Sequence, residues 1–247
     1  MNLEKIDTFL FDLDDTLWRV SKLLPGAKEL LKKLRSMDKK VYFVTNNNLM
    51  TREELAGKLT RLGISAKKEE VINTSYVASL YMKKRKAKVL VFGKALEKEL
   101  MRYGISVRKK PPVDYVLIGD DLNFNFNKIA LAIQAIQEGA KFVSCNMGRK
   151  WHIGDKLVPG VGSLAISIAY ATDVQPIVLG KPEEPMLQAV RKVVNNPAKT
   201  VMIGDDLVDV LLAKKLKCRS VFIGVKNLKE AKADLVVKSV KELLKFF

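Results

Sequence analysis

Apolar and polar positions alternate along this chain in two different periods. Ile6 to Phe11 is an apolar run with polar Asp7 and Thr8 inside it, and it stops at Asp12-Leu13-Asp14-Asp15. A short apolar run ended by polar residues reads as a buried strand. The period then changes: Leu30, Leu31 and Leu34 recur at helical spacing between Ala27 and Met37, behind the breaker Pro25-Gly26. A second strand, Lys40 to Val44, ends in Thr45-Asn46-Asn47-Asn48. Strand, helix and strand in this order predict a right-handed crossover and a parallel pair. In such sheets the C-terminal strand ends face the ligand crevice, so Thr45 and Asn46 are expected beside Asp12 and Asp14. Thr51 and Glu54 have capping-box spacing for a helix from Arg52 to Leu62, which leaves Thr45 and Asn46 for other work.

Around residue 73 a second α/β alternation begins. Lys88 to Gly93, Asp114 to Ile118 and Lys141 to Ser144 read as strands. Ala95 to Tyr103 and Asn127 to Glu138 read as helices, stopped by Gly104 and Gly139. The third strand runs into Cys145-Asn146-Met147-Gly148. Ser163 to Thr172 is apolar on most sides and is predicted to be a well-buried helix. Gly160 and Gly162 before it lack the rest of a phosphate-loop pattern and read as packing glycines. The first pattern then resumes. Pro176 to Leu179 is a strand ending in Gly180-Lys181-Pro182, and a helix follows from about Pro185 to Val194. Thr200 to Ile203 is a strand ending in Gly204-Asp205-Asp206-Leu207-Val208-Asp209, with a helix to about Lys217. Ser220 to Ile223 and Leu235 to Val237 are the last strands, before a terminal helical turn from Lys241 to Phe247. The organisation expected is a discontinuous parallel-sheet domain, residues 1–72 and 178–247. A smaller α/β domain, residues 73–177, is inserted in it as a cap.

The 247 residues are 48% hydrophobic, enough for such cores. No apolar run approaches the ~18 residues of a membrane span, and the N-terminus enters the first strand without a signal-peptide pattern. A cytoplasmic protein is expected. Cys145 and Cys218 form no C-x-x-C pair and read as small buried hydrophobes. The formal net charge of +17 raises nucleic-acid binding as a reading. Its distribution argues against a dedicated surface. Residues 73–177 hold 16 Lys/Arg against 8 Asp/Glu, and the rest of the chain is basic at similar density. The sharpest cluster, Lys83-Lys84-Arg85-Lys86, follows an apparent helix, where cations complement the macrodipole. Basic charge also draws in anionic substrates such as phosphate esters. His152, the single histidine, has no metal-spaced partner and reads as a surface residue.

Four predicted strands end in reactive groups: Asp12/Asp14, Thr45/Asn46, Lys181, and Asp205/Asp209. Taken singly, each has a bland reading as a turn, a cap or a solvated charge. If all four lie in one parallel sheet, they converge on one edge. Carboxylates crowded at a buried strand end need a cation or a proton. Mg²⁺ takes one or two carboxylates, waters and a phosphate oxygen. A carboxylate could attack phosphorus, a second could protonate the leaving oxygen, and lysine, amide and hydroxyl could hold phosphoryl oxygens.

With these residues in this order the chain resembles the haloacid dehalogenase superfamily. Asp12-Leu13-Asp14-Asp15-Thr16 matches its first motif, Thr45 its second, Lys181 its third, and Gly204-Asp205 with Asp209 its fourth. The likeness spans essentially the whole chain. The insert is similar to the C2 cap type and to the nitrophenylphosphatase-like and NagD-like branch. The segments that carry this are Trp18 to Gly26, Val44 to Asn47, Ile136 to Ala140 and Gly180 to Pro182. The resemblance implies a Rossmann-like core and a Mg²⁺-dependent phosphatase of small phosphorylated metabolites. It implies Asp12 as nucleophile, Asp14 as general acid/base, and Thr45 and Lys181 as phosphate ligands. Mg²⁺ would be held by Asp12, the backbone carbonyl of Asp14, and Asp205. Asn46, the amide at the Thr45 strand end, is read as a further phosphate ligand. Asp209, one helical turn beyond Asp205, is read as orienting Lys181 or a metal-bound water. Asn146, Met147 and Arg149 of the cap are read as substrate-selecting. Three positions depart from the branch: Asp15 stands where Gly is usual, Asp209 follows Asp205 by four residues instead of five, and Asn146-Met147-Gly148 replaces Asn-Pro-Asp. Halide removal fits Lys181 and Asp205 less well than phosphate chemistry. The rivals are a phosphate-ester binding or regulatory protein with little turnover, and a nucleic-acid binder. Self-association, where it occurs, is expected through the cap.

Overall fold

The structure, a computed structural model, describes residues 1–153, 155–224 and 232–247. The chain divides into two compact units. Met1–Thr45, Glu53–Ile72 and Lys181–Phe247 form the first; Asn46–Arg52 and Asn73–Gly180 form the second.

The sheet of the first unit has six strands. Their order is Leu235–Val237, Arg219–Ile223, Thr200–Gly204, Thr8–Phe11, Lys40–Thr45 and Val71–Asn73. Thr8–Phe11 lies parallel between Thr200–Gly204 and Lys40–Thr45, with Phe11 opposite both Ile203 and Phe43. Every residue of Thr8–Phe11 and of Thr200–Gly204 is buried. Helix-covered parallel strands are apolar on both faces, which is why these two read as continuous runs instead of alternating ones. Helix Ala27–Ser36 buries Ala27, Leu30, Leu31 and Leu34. Each leucine contributes about 1.5–3 kcal/mol by leaving water. A two-stranded hairpin, Trp18–Arg19 with Lys22–Leu23, follows the first strand. Two residues per strand give no readable alternation, so the sequence pattern does not reveal this hairpin.

The second unit has a five-stranded sheet in the order Ile177–Val178, Lys141–Ser144, Tyr115–Ile118, Lys88–Phe92 and Ser106–Arg108. All its pairings are parallel. Helices Phe126–Gln137 and Val161–Thr172 pack Ala132, Ile136, Ala165 and Ile168 against Phe92, Val116, Ile118 and Phe142. Lys150–Ile153 and Lys156–Pro159 add an antiparallel hairpin that bears exposed His152.

Two expectations are corrected here. The strand before Lys181 does not belong to the sheet that carries Asp12. Ile177 and Val178 pair with Val143 and Ser144 of the second unit. A short Ile-Val-Leu run satisfies any buried parallel edge, so its period could not say which sheet it joins. Helix Val161–Thr172 is not buried on most sides. It packs through one face, while Ile166 is 57% and Tyr170 89% exposed.

Residues 46–52 are tied into the second unit by polar side chains. Thr74 Oγ1 and Asn146 Nδ2 both donate to the Asn46 carbonyl, at 3.0 and 3.1 Å. Asn73 Nδ2 donates to the Met50 carbonyl and Asn48 Nδ2 to Asp120, at 2.9 and 2.8 Å. Buried amides are retained where each partner is satisfied. Among the described residues no helix is long and apolar enough to cross a membrane.

Candidate active site

The first strand delivers Asp12. Its backbone N–H continues the sheet ladder to the Ile203 carbonyl at 2.9 Å, so the residue is held as firmly as the strand itself. Its side chain meets Lys181, whose Nζ donates to Asp12 Oδ1 at 2.6 Å, Asp209 Oδ1 at 2.6 Å and the Val44 carbonyl at 3.0 Å. An ammonium has three N–H donors and no acceptor, so three buried acceptors satisfy it. Lys181, Asp12 and Asp209 are all buried. Burial alone would lower the Lys181 ammonium, but Asp12 and Asp209 outweigh it and hold the pKa above its ordinary value, so the lysine stays charged. Burial pushes Asp12 upward; Lys181 opposes this, and Asp209 and Asp205 add to it.

Asp209 has a second task. Its Oδ2 accepts the Asp206 N–H at 3.2 Å, while the Asp206 side chain accepts the Val208 N–H at 3.3 Å. This is a capping box at the start of helix Leu207–Leu216. The helix therefore begins where it can present Asp209 to Lys181. The turn is tight enough that a Cβ on Gly204 would collide with the Asp209 carboxylate. Gly204→Ala is thus expected to displace Asp209 and loosen Lys181. Stability should fall by about 1–3 kcal/mol, as for overpacking, with kcat reduced. A urea titration alongside an activity assay checks both, and a variant as stable and active as the parent would show that the turn can yield.

Asp205 projects from the same turn, and Thr16 Oγ1 donates to its Oδ1 at 2.8 Å. Burial, with the neighbouring charge of Asp209, raises this carboxyl from its ordinary 3.8 to about 7. Carboxylate oxygens of Asp12, Asp205 and Asp209 lie within 4.8 Å of one another. Three carboxylates against the one ammonium of Lys181 leave an excess of negative charge, and oxygen donors of this kind suit a hard divalent cation. Both oxygens of Asp209 already serve Lys181 and the Asp206 N–H, which leaves Asp12 and Asp205 as the carboxylates best placed to bind one.

Asp14 lies on the exposed side of the turn, and its Oδ1 accepts the Trp18 Nε1–H at 2.7 Å. Asp15 has φ 57, in the left-handed region that aspartate tolerates better than most side chains. Thr45 ends its strand 2% exposed. The other sequence-selected residues belong to the second unit. The Asn46 carbonyl is engaged as described above, and the Asn146 side chain both donates to it and accepts the Gly148 N–H at 2.9 Å. Asn146 therefore shapes its own loop. Met147 and Arg149 are exposed. The sequence pattern includes Thr16 and Trp18 in its motifs but assigns no role to them or to the Val44 carbonyl. Thr16 and Trp18 stand next to the acidic turn, and that proximity was the available signal.

Residues 9–106 match the family model described as haloacid dehalogenase-like hydrolase, and residues 178–243 match one described as HAD-hydrolase-like. The 4-nitrophenylphosphatase of Schizosaccharomyces pombe is 34% identical over 86% of this chain and 81% of that protein. The chain belongs to the haloacid dehalogenase-like hydrolases. Two solved members of similar form are the 4-nitrophenylphosphatase of Thermotoga maritima and a glycerol phosphate phosphatase of Mycobacterium tuberculosis in complex with magnesium. The first has a TM-score of 0.91 at 26% identity, covering 99% of this chain and 98% of that one. The second has a TM-score of 0.88 at 25% identity, covering 98% and 78%. In this haloacid dehalogenase-like chain Asp15, where Gly is usual, adds its charge to those that raise the Asp205 carboxyl. The position needs a left-handed backbone, and Arg19 Nε reaches the Asp15 carboxylate at 2.5 Å in an exposed pair worth little stability.

Proposed function

We propose that this chain is a Mg²⁺-dependent phosphatase of small phosphomonoesters, working through an aspartyl-phosphate on Asp12. The observation that carries the reading is the buried, charged Lys181 bonded to Asp12 beside a cluster of carboxylates, in a chain similar over its length to enzymes named as phosphatases. Asp12 attacks phosphorus, and Asp14 gives a proton to the departing oxygen and later takes one from the attacking water. Lys181 and Thr45, with Asn46, hold the phosphoryl oxygens. Mg²⁺ would be held by Asp12, Asp205 and the Asp14 backbone carbonyl. What the cation supplies when bound is neutralisation of phosphoryl charge. Asp209 acts through Lys181, and Met147, Arg149 and the loop that Asn146 shapes select among esters. Residues 73–177 serve as the cap. The net charge of +17 favours encounter with anionic esters. Two free cysteines fit a reducing cytoplasm.

A screen of sugar phosphates, nucleotides, pyridoxal phosphate, phosphoglycolate and glycerol phosphate with Mg²⁺ tests the activity. Absence of turnover on all of these and on 4-nitrophenyl phosphate would reject it.

The metal assignment has its own test, a Mg²⁺ titration of three variants. Asp205→Asn should raise the Mg²⁺ requirement most, by about tenfold or more; Asp209→Asn should raise it less, and Asp206→Asn least. A proton competes with the cation at Asp205, so the requirement should also rise as pH falls through about 7. A carboxyl raised in the folded state contributes stability in full below its ordinary 3.8, and this is lost as pH rises through about 7. Metal-free protein should therefore melt lower as pH climbs through that window, and Mg²⁺ should reverse the trend. Asp205→Asn should weaken both effects, the raised Asp12 carboxyl leaving a remainder. If Asp206→Asn were the most damaging, the ligand assignment would be off by one residue.

A further inference from the structure

Trp18 is fully buried, yet it sits four residues after a carboxylate that lies on the exposed side of its turn. The two are clamped together twice. The indole Nε1–H donates to Asp14 Oδ1 at 2.7 Å, and the backbone forms a bridge between the same residues. The Trp18 carbonyl accepts the Asp15 N–H at 2.7 Å, and the Trp18 N–H reaches the Leu13 carbonyl at 3.2 Å. The indole is in turn gripped from its face. Lys58 Nζ, on helix Arg52–Arg61, lies 4.1 Å from the ring centroid and donates to the Val20 carbonyl at 3.0 Å. Val20 forms the hairpin turn with φ 56, a conformation that a β-branched residue adopts only when its surroundings impose it. Burial lowers the Lys58 ammonium, with Asp14 opposing.

We propose that Trp18 is a positioning residue for the general acid, aiming the Asp14 carboxyl at the departing oxygen, with Lys58 fixing the indole in turn. This rests on the phosphatase reading above and assigns it a further residue. An indole N–H donates only, so Oδ1 remains an acceptor whether Asp14 is ionised or not. The transferable proton is then carried on Oδ2. As the Asp12 oxygen bonds to phosphorus and the ester P–O bond breaks, that proton passes to the leaving oxygen and leaves Asp14 ionised. A fixed carboxyl saves the orientation that a free rotor would have to find. The competing explanation is that a buried indole simply needs an acceptor. That role would affect stability and would be indifferent to the leaving group.

The experiment compares kcat/KM for phenyl phosphate and 4-nitrophenyl phosphate, two esters of similar shape. The phenolate of the first needs protonation far more than the second. Trp18→Phe removes the N–H; replacing Trp18 by benzothienylalanine removes it with the ring shape kept, and thermal melting verifies the fold of each. Loss of at least about tenfold on phenyl phosphate, against less than about threefold on 4-nitrophenyl phosphate, is expected for both replacements. Equal loss on the two esters, or none from the isosteric replacement, overturns the proposal. Asp14→Asn, measured in parallel, should show the same leaving-group pattern with a larger loss. If it does not, the acid assignment of Asp14 fails and this inference with it. If the parent cleaves neither ester, the phosphatase reading is what has failed.

Discussion

Asp12→Asn is expected to abolish turnover in a protein that still folds. The amide matches the carboxylate in shape but is a very poor nucleophile and a weaker cation ligand, so the covalent route closes. Loss of at least about a thousandfold in kcat is expected for removal of a nucleophile. The fold should survive because Lys181 keeps Asp209 and the Val44 carbonyl as partners. The burial that disfavours a charged Asp12 also vanishes with the charge. The cost in stability should therefore not exceed one charge-assisted hydrogen bond, about 1.5–3 kcal/mol. Steady-state hydrolysis of 4-nitrophenyl phosphate with Mg²⁺ gives the rate. Acid-quenched transfer of labelled phosphate to protein, present in the parent and absent in the variant, gives the mechanism. Retention of about a tenth or more of the parental kcat, a barrier change of only about 1.4 kcal/mol, would remove Asp12 from the role of nucleophile.

Lys181→Met should damage both stability and activity, and the two losses should be separable. The substitution leaves the carboxylates of Asp12 and Asp209 buried around an apolar chain that carries no charge. Breaking a buried ion pair from one side costs about 3–5 kcal/mol, because the remaining charge is uncompensated. On the proposed mechanism the phosphoryl oxygens would lose their cationic partner at the same time, a further loss of about a hundredfold or more in kcat/KM. Adding Asp209→Asn to Lys181→Met removes one of the stranded charges. The double variant should regain part of the stability measured by urea unfolding and none of the activity. A Lys181→Met protein as stable as the parent would show that Lys181 is not the counter-ion that the geometry describes.

Much of the fold was legible because its signals are local. The buried parallel strands announce themselves as short apolar runs, and an abrupt change to acid or amide marks where each one ends. That is why Asp12 at the end of Thr8–Phe11 and Asp205 at the end of Thr200–Gly204 could be picked out without coordinates. The glycines after helices Lys94–Arg102 and Phe126–Gln137 were readable for the same reason, since Gly104 and Gly139 have positive φ. The two-residue hairpin at Trp18 escaped because its pattern is shorter than any period.

Partner choice is where local pattern ended and tertiary structure decided. Asn46, Asn47 and Asn48 look equivalent in sequence, but Asn48 is fully buried and bonded to Asp120, 72 residues away. Lys181 stands 169 residues from Asp12, and Thr16 stands 189 residues from Asp205. No periodicity spans such distances. The strand before Lys181 could have joined either sheet, and only the pairing with Lys141–Ser144 settled it. The charge state of the site was likewise beyond sequence. Residue type alone gives Asp205 an ordinary carboxyl; burial beside Asp209 is what moves it to about 7. The sequence by itself determined which groups are present and which strand ends carry them, because those depend on neighbours along the chain. The folded structure alone decided which groups meet and which of them stay charged, because desolvation and Coulomb energy depend on neighbours in space.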